Sequence, residues 1–197
     1  PMLLGRLGKQ SGDTKKAVDG YEAAANVSRY REGTVTALFA AYRSAKRAKD
    51  LIRFAEEKVP AQILSAQPEA LVHLAWAYSQ TSDERKCFET YDRALAAAKD
   101  FRLQNMVVSE MSGVFGKEAV LARCKGRVDA EPDNVSNLEV YAHLLFMNGQ
   151  REEALQACVR IGQLAVTGED KIFAVLAQGI VLDSMGRYPE AKGKYEE

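Results

Sequence analysis

Residues 179–195, Gly179-Ile-Val-Leu182-Asp-Ser-Met-Gly186-Arg-Tyr188-Pro-Glu-Ala191-Lys-Gly-Lys-Tyr195, hold the pattern that organises the chain. Gly179 and Leu182 share one helical face, with Leu176 one turn earlier. Met185-Gly186-Arg187 is a turn, and Tyr188, Ala191 and Tyr195 mark a second helix. Glycine at 186 suits a left-handed helix end, since it has no Cβ to clash. Three of these positions recur upstream with the same offsets of 70, 67 and 37 residues. They are Gly5, Ala75, Ala142 and Gly179; Ala17, Cys87, Ala154 and Ala191; and Tyr21, Tyr91, Cys158 and Tyr195. Leu51 with Ala55, and Val120 with Cys124, supply the missing members, so the underlying period is 33–37 residues.

Each unit reads as two helices. Leu71, Leu74, Ala75 and Tyr78 fall at i, i+3, i+4 and i+7, and Cys87, Phe88, Tyr91, Ala94 and Leu95 line the helix that follows. Leu138, Tyr141, Ala142 and Leu145, then Ala154, Leu155, Cys158 and Ile161, repeat the plan around a turn at Gly149. Thr81-x-x-Glu84, Ser136-x-x-Glu139 and Thr167-x-x-Asp170 offer helix-starting caps. The small residues let two helices cross closely, and the aromatic column fills the space beside them. One such pair cannot bury its own apolar face, so neighbouring pairs must stack.

These residues resemble the tetratricopeptide repeat family. Leu74-Ala75-x-x-Tyr78 with Cys87-x-x-x-Tyr91-x-x-Ala94-Leu95, the linker Glu131-Pro132-Asp133-Asn134, and the 179–195 stretch carry the likeness. It implies an all-α, right-handed superhelical solenoid of about five to six antiparallel helix pairs. The expected units are approximately 1–31, 32–67, 68–100, 101–134, 135–171 and 172–197, forming one array over 1–197. Phe39 and Val108 stand where two units should have a small residue, and Val59–Gln67 is extra chain expected to form a loop or short turn. Residues 1–10 give only the end of a first helix and the chain stops at Glu197 inside a last one, so a fragment of a longer protein is expected.

Net charge is zero, which gives no global field for nucleic acid or an anionic membrane. The balance is uneven: residues 1–60 hold 12 Lys/Arg against 7 Asp/Glu, and residues 130–197 hold 6 against 11. Head-to-tail self-association is one consequence to expect. No apolar run reaches the roughly 20 residues of a membrane span, so no membrane insertion is expected. Cys87, Cys124 and Cys158 are too dispersed for a zinc site and favour a reduced, cytoplasmic setting. The basic run Arg43, Lys46, Arg47, Lys49 and Arg53 lacks interleaved aromatics and reads as a solvated face, so no nucleic acid is expected.

The chain has two histidines, His73 and His143, and no nucleophile elbow or phosphate loop. No enzyme activity, cofactor or metal is expected. In the resembling family, first helices build a concave wall that holds a peptide or helix. Carried over by register, that wall is Arg43, His73, Trp76, Asn105, Met106, Ser109, Glu139, His143, Phe146 and Asp183, with Met147 and Ile180 beside them. The expected role is a scaffold or adaptor gripping another protein; the alternatives are a recognition arm of a larger enzyme or a self-assembling scaffold. If the register is right, Ala154→Leu overpacks a helix crossing and lowers stability by about 1–3 kcal/mol in urea unfolding. Unchanged stability would show the register to be wrong.

Overall fold

The computed structural model describes residues 1–31, 33–98 and 101–196, with the backbone alone for Phe101 and Glu169. The unit boundary expected at Glu32 and the chain end at Glu197 lie outside the described residues. Among the described residues there are thirteen helices and no strand. They fall into two compact units, Pro1–Glu110 and Met111–Glu197.

The first unit holds α1 (Met2–Gln10), α2 (Thr14–Val27), α3 (Thr34–Ser44), α4 (Ala48–Lys58), α5 (Ala61–Ser65), α6 (Pro68–Gln80), α7 (Glu84–Ala97) and α8 (Phe101–Phe115) as far as Glu110. The second holds the rest of α8 and α9 (Lys117–Ala130), α10 (Val135–Met147), α11 (Arg151–Leu164), α12 (Gly168–Ser184) and α13 (Tyr188–Tyr195). Consecutive helices pack as antiparallel pairs: α1 with α2, α3 with α4, α6 with α7, α10 with α11, and α12 with α13. The extra segment at 59–67 contains the short helix α5, which buries Leu64.

The pairing is set by close approach. A Cβ placed on Gly5 would lie 2.7 Å from the Tyr21 ring, and one on Gly179 would strike the Tyr195 ring. One on Gly20 would strike the backbone of Gly5. Elsewhere the same columns are filled by Ala75 and Tyr91, both fully buried, and by Ala142 with Cys158. Ala154, Leu51, Ala55, Val120 and Cys124 are buried as the period requires. Phe39 and Val108 are buried too, so the two oversized positions are absorbed inside the packing.

Five hairpin turns reverse through a left-handed residue at the equivalent point: Gly12 (φ 73°), Lys46 (φ 55°), Ser82 (φ 58°), Gly149 (φ 78°) and Gly186 (φ 74°). These turns decide where the second helices begin, which corrects the cap expected for α7; the cap expected for the first helix α10 is corrected as well. Asp83, directly after left-handed Ser82, is the N-cap of α7 and accepts from Lys86 N–H at 3.0 Å. Thr81 still belongs to the end of α6, donating its hydroxyl to the Tyr78 carbonyl. Likewise α10 starts from Asn134, which accepts from Asn137 N–H at 3.1 Å, leaving Ser136 already inside the first turn. Thr167 caps α12 as expected, accepting from Asp170 N–H at 3.1 Å.

Within the first unit, one device joins a pair to the next twice over. Tyr42 on α3 donates its hydroxyl to Glu22 on α2, and Arg47 sits 5.3 Å from its ring centroid. Tyr78 on α6 donates to Glu56 on α4 at 2.9 Å, and Lys86 sits 5.2 Å from its ring centroid while bonding the same carboxylate. The second unit has buried Leu145 and Leu182 at the matching first-helix positions.

Ser82 carries the steric cost of a left-handed backbone that Gly186 avoids. Ser82→Gly is therefore expected to raise stability by about 0.5–1 kcal/mol, and Gly186→Ala to lower it by a similar amount, in urea unfolding.

Candidate functional site

The first unit brings three of the sequence-named side chains together. Arg43 projects from the end of α3, and His73 and Trp76 sit one turn apart on α6. The Arg43 guanidinium lies 5.5 Å from the Trp76 ring centroid, a cation–π contact worth about 0.5–1 kcal/mol. Arg43 Nη2 also donates to Glu110 Oε2 on α8 at 2.8 Å. Those side chains are 31% and 34% exposed, so solvent screening holds the ion pair to about 1 kcal/mol at most. Trp76 is half-buried, outside the core and capped by this arginine.

Glu110 is the member that sequence reasoning missed. It lies 67 residues from its partner, and nothing local to it differs from any other surface glutamate. Met106 sits one turn before Glu110 and is half-buried, while Asn105 and Ser109 are exposed on α8. His73 is mostly enclosed, and its Nδ1 is buried without a hydrogen-bond partner. Burial first, then the nearby Arg43 charge, pulls its pKa down to about 4. It is a neutral imidazole at pH 7.

In the second unit, Glu139 and His143 sit one turn apart on α10, both half-buried. Burial, followed by the neighbouring Asp170 charge, raises the Glu139 pKa, and burial lowers that of His143. Phe146 packs partly buried against the core of Leu138, Leu145, Ile161 and their neighbours. Asp183 is exposed on α12.

The larger feature here is one the sequence register understated. Ile172, Leu176 and Ile180 follow one another every four residues along α12 and are 62%, 48% and 54% exposed. Leu176 reads from sequence as part of the buried face, and the structure corrects that: Ala174, Gln178 and Val181 face inward instead. The signal was present, because α12 is apolar on two faces, and a helix inside one packed layer needs only one. Met147, at the end of α10, is 57% exposed.

The rest of the chemistry is quiet. Burial pushes the Cys87 and Cys158 thiols up to about 11, so neither is a thiolate at neutral pH. Among the described residues no group of three or more His, Cys, Asp or Glu could hold a metal ion, and no helix is long and apolar enough to cross a membrane. A cleft of about 180 Å³ beside Lys9, Tyr21, Ala40 and Ser44 is smaller than the roughly 300–1,000 Å³ that drug-sized ligands occupy. Three members of the basic run are spent internally: Arg43 on Glu110, and Arg47 and Arg53 on Asp50.

The thirteen helices of the described residues and their hairpin packing define a tetratricopeptide-like fold. Among solved structures, the chain is similar to MamA AMB-1, at 18% identity over 80% of this chain and 84% of that one, with a TM-score of 0.44. A second MamA structure is 14% identical over 99% of this chain and 86% of that one, with a TM-score of 0.43. YrrB, a TPR protein with an unusual peptide-binding site, is 12% identical over 91% of each chain, with a TM-score of 0.45. No family model and no curated protein matches the chain. The fold rests on this chain's own helices and packing.

Because the unfolded chain takes up a proton at His73 near pH 6.5 and the folded one only near 4, the unfolded state binds more protons between those values. Stability should therefore fall as pH drops through that window, by up to about 3 kcal/mol from this group. His73→Asn should flatten the pH dependence of urea unfolding there, and the His73 imidazole resonance should titrate near 4.

Proposed function

We propose that this chain is a protein-interaction scaffold that holds a segment of another protein against the faces of its first helices. The observation that carries the reading is the exposed stripe of Ile172, Leu176 and Ile180. Three large aliphatic side chains in a row on one helix leave apolar area in water, at roughly 25 cal/mol per Å². Contiguous exposed apolar surface of this kind marks contact sites. An α-helix or an extended segment laid along α12 would cover it.

The proposed contact residues in the second unit are Ile172, Leu176 and Ile180 with Glu139, His143, Phe146 and Asp183. In the first unit they are Arg43, His73, Trp76, Asn105, Met106 and Ser109. There the Arg43–Glu110 pair covers part of Trp76, so a partner would meet a preorganised aromatic–cation surface. The uncharged histidines favour hydrogen bonding over ion pairing at their positions.

The test is affinity capture from native lysate with three baits: wild type, Leu176→Ser/Ile180→Ser, and Trp76→Ala, each checked for folding by circular dichroism. A specific protein held by the wild type and lost by the folded α12 variant is the expected result. Loss with the Trp76 variant as well would extend the contact to the first unit. Equal retention by the wild type and both variants would overturn the scaffold reading at these faces.

A further inference from the structure

We infer that the segment held on the α12 face is basic and amphipathic, with an apolar ridge flanked by Lys or Arg; this rests on the reading of that face as a protein contact. The stripe from Ile172 to Ile180 spans about 12 Å, the length of two helical turns. A segment that covers it must present two or three apolar side chains at matching spacing, and its flanks then lie over the surroundings of the stripe.

Those surroundings are acidic. Asp183 is exposed and lies three residues beyond Ile180, on the same face of α12. Glu139 and His143 hold, on α10, the repeat positions that Leu176 and Ile180 hold on α12, and α10 and α12 share one core. Burial, then the Asp170 charge, raises the Glu139 pKa, so this carboxylate already sits in an unfavourable, negatively charged setting. Among the described residues no ion pair engages Glu139, Asp170 or Asp183.

The nearby cations do not offset this. Arg187 bonds Glu190 at 2.6 and 2.7 Å and approaches Glu152 at 3.9 Å. Lys171, like Asp170, lies off the stripe, about 140° and 120° around α12 from Leu176 respectively, whereas Asp183 lies on its face. His143 is kept neutral by burial. An acidic segment would add like charges to an uncompensated cluster, whereas an incoming Lys or Arg would relieve the Glu139–Asp170 repulsion as it is desolvated.

The test uses synthetic peptides of about 18 residues, five helical turns. One is a Leu/Lys amphipathic helix, one replaces every Lys by Glu, and one scrambles the Leu/Lys order at constant composition. Binding to the full chain is read by fluorescence anisotropy at about 0.15 M salt. The ordered Leu/Lys peptide is expected to bind at least about tenfold tighter than either control. Glu139→Gln/Asp170→Asn/Asp183→Asn should erase its advantage over the Leu/Glu peptide, and the exposed single change Asp183→Asn should reduce it. Leu176→Ser/Ile180→Ser should abolish binding of all three.

Equal or tighter binding of the Leu/Glu peptide that Leu176→Ser/Ile180→Ser still abolishes would overturn the basic partner and leave the contact reading standing. No binding of any peptide would overturn both at α12. If the chain alone sediments as an oligomer that Leu176→Ser/Ile180→Ser dissolves, the occupant is a second copy and the inference fails.

Discussion

The architecture depends on how closely two helices of a hairpin can approach. At Gly5 and Gly179 the partner aromatic ring occupies the volume that a Cβ would need, and at Gly20 the backbone of the facing helix does. Ala75 opposite Tyr91 and Ala142 opposite Cys158 complete the series with nearly complete burial. A small residue on one helix and a larger one on its partner form a lock that fixes rotation as well as distance. Once the lock is set, each hairpin is left with an apolar face that only the next hairpin can cover.

How hairpins join their neighbours differs along the chain. In the first unit, Tyr42 and Tyr78 each reach back to a glutamate of the preceding second helix, with a cation on the ring. Hydrogen bonding to Lys86, then to Tyr78, holds the Glu56 carboxyl below its ordinary range, so the bridge keeps its charge at neutral pH. Hydrogen-bonded joints of this kind specify register through direction, which apolar contacts lack. In the second unit Leu145 and Leu182 fill the same positions, and buried Gln178 of α12 donates instead to the Cys158 carbonyl of α11 at 3.3 Å.

The two candidate faces follow the same division. Around Trp76 the Arg43 and Glu110 charges are already paired, while the buried Nδ1 of neighbouring His73 has no hydrogen-bond partner. Along α12 Ile172, Leu176 and Ile180 are exposed, and among the described residues no ion pair engages Asp183. If these faces hold a partner as proposed, the first arrangement would give orientation and the second would supply free energy on association.

The sequence alone determined the helical period, the members of the small and aromatic columns, and the glycine turns at 149 and 186, because these are written in contacts within a helix or across one tight turn. It placed Arg43, His73 and Trp76 on first helices, which the structure brings together in the first unit. Local chemistry could not decide the caps of α7 and α10, since several polar residues near each turn compete and the left-handed residue at 82 selects Asp83 over Thr81. Nor could it find Glu110, whose partner is 67 residues away. Only the tertiary structure decided that Leu176 faces out and Ala174 faces in. Periodicity marks which residues share a stripe, but which stripe is buried depends on where the neighbouring helices lie, and that is a property of packing.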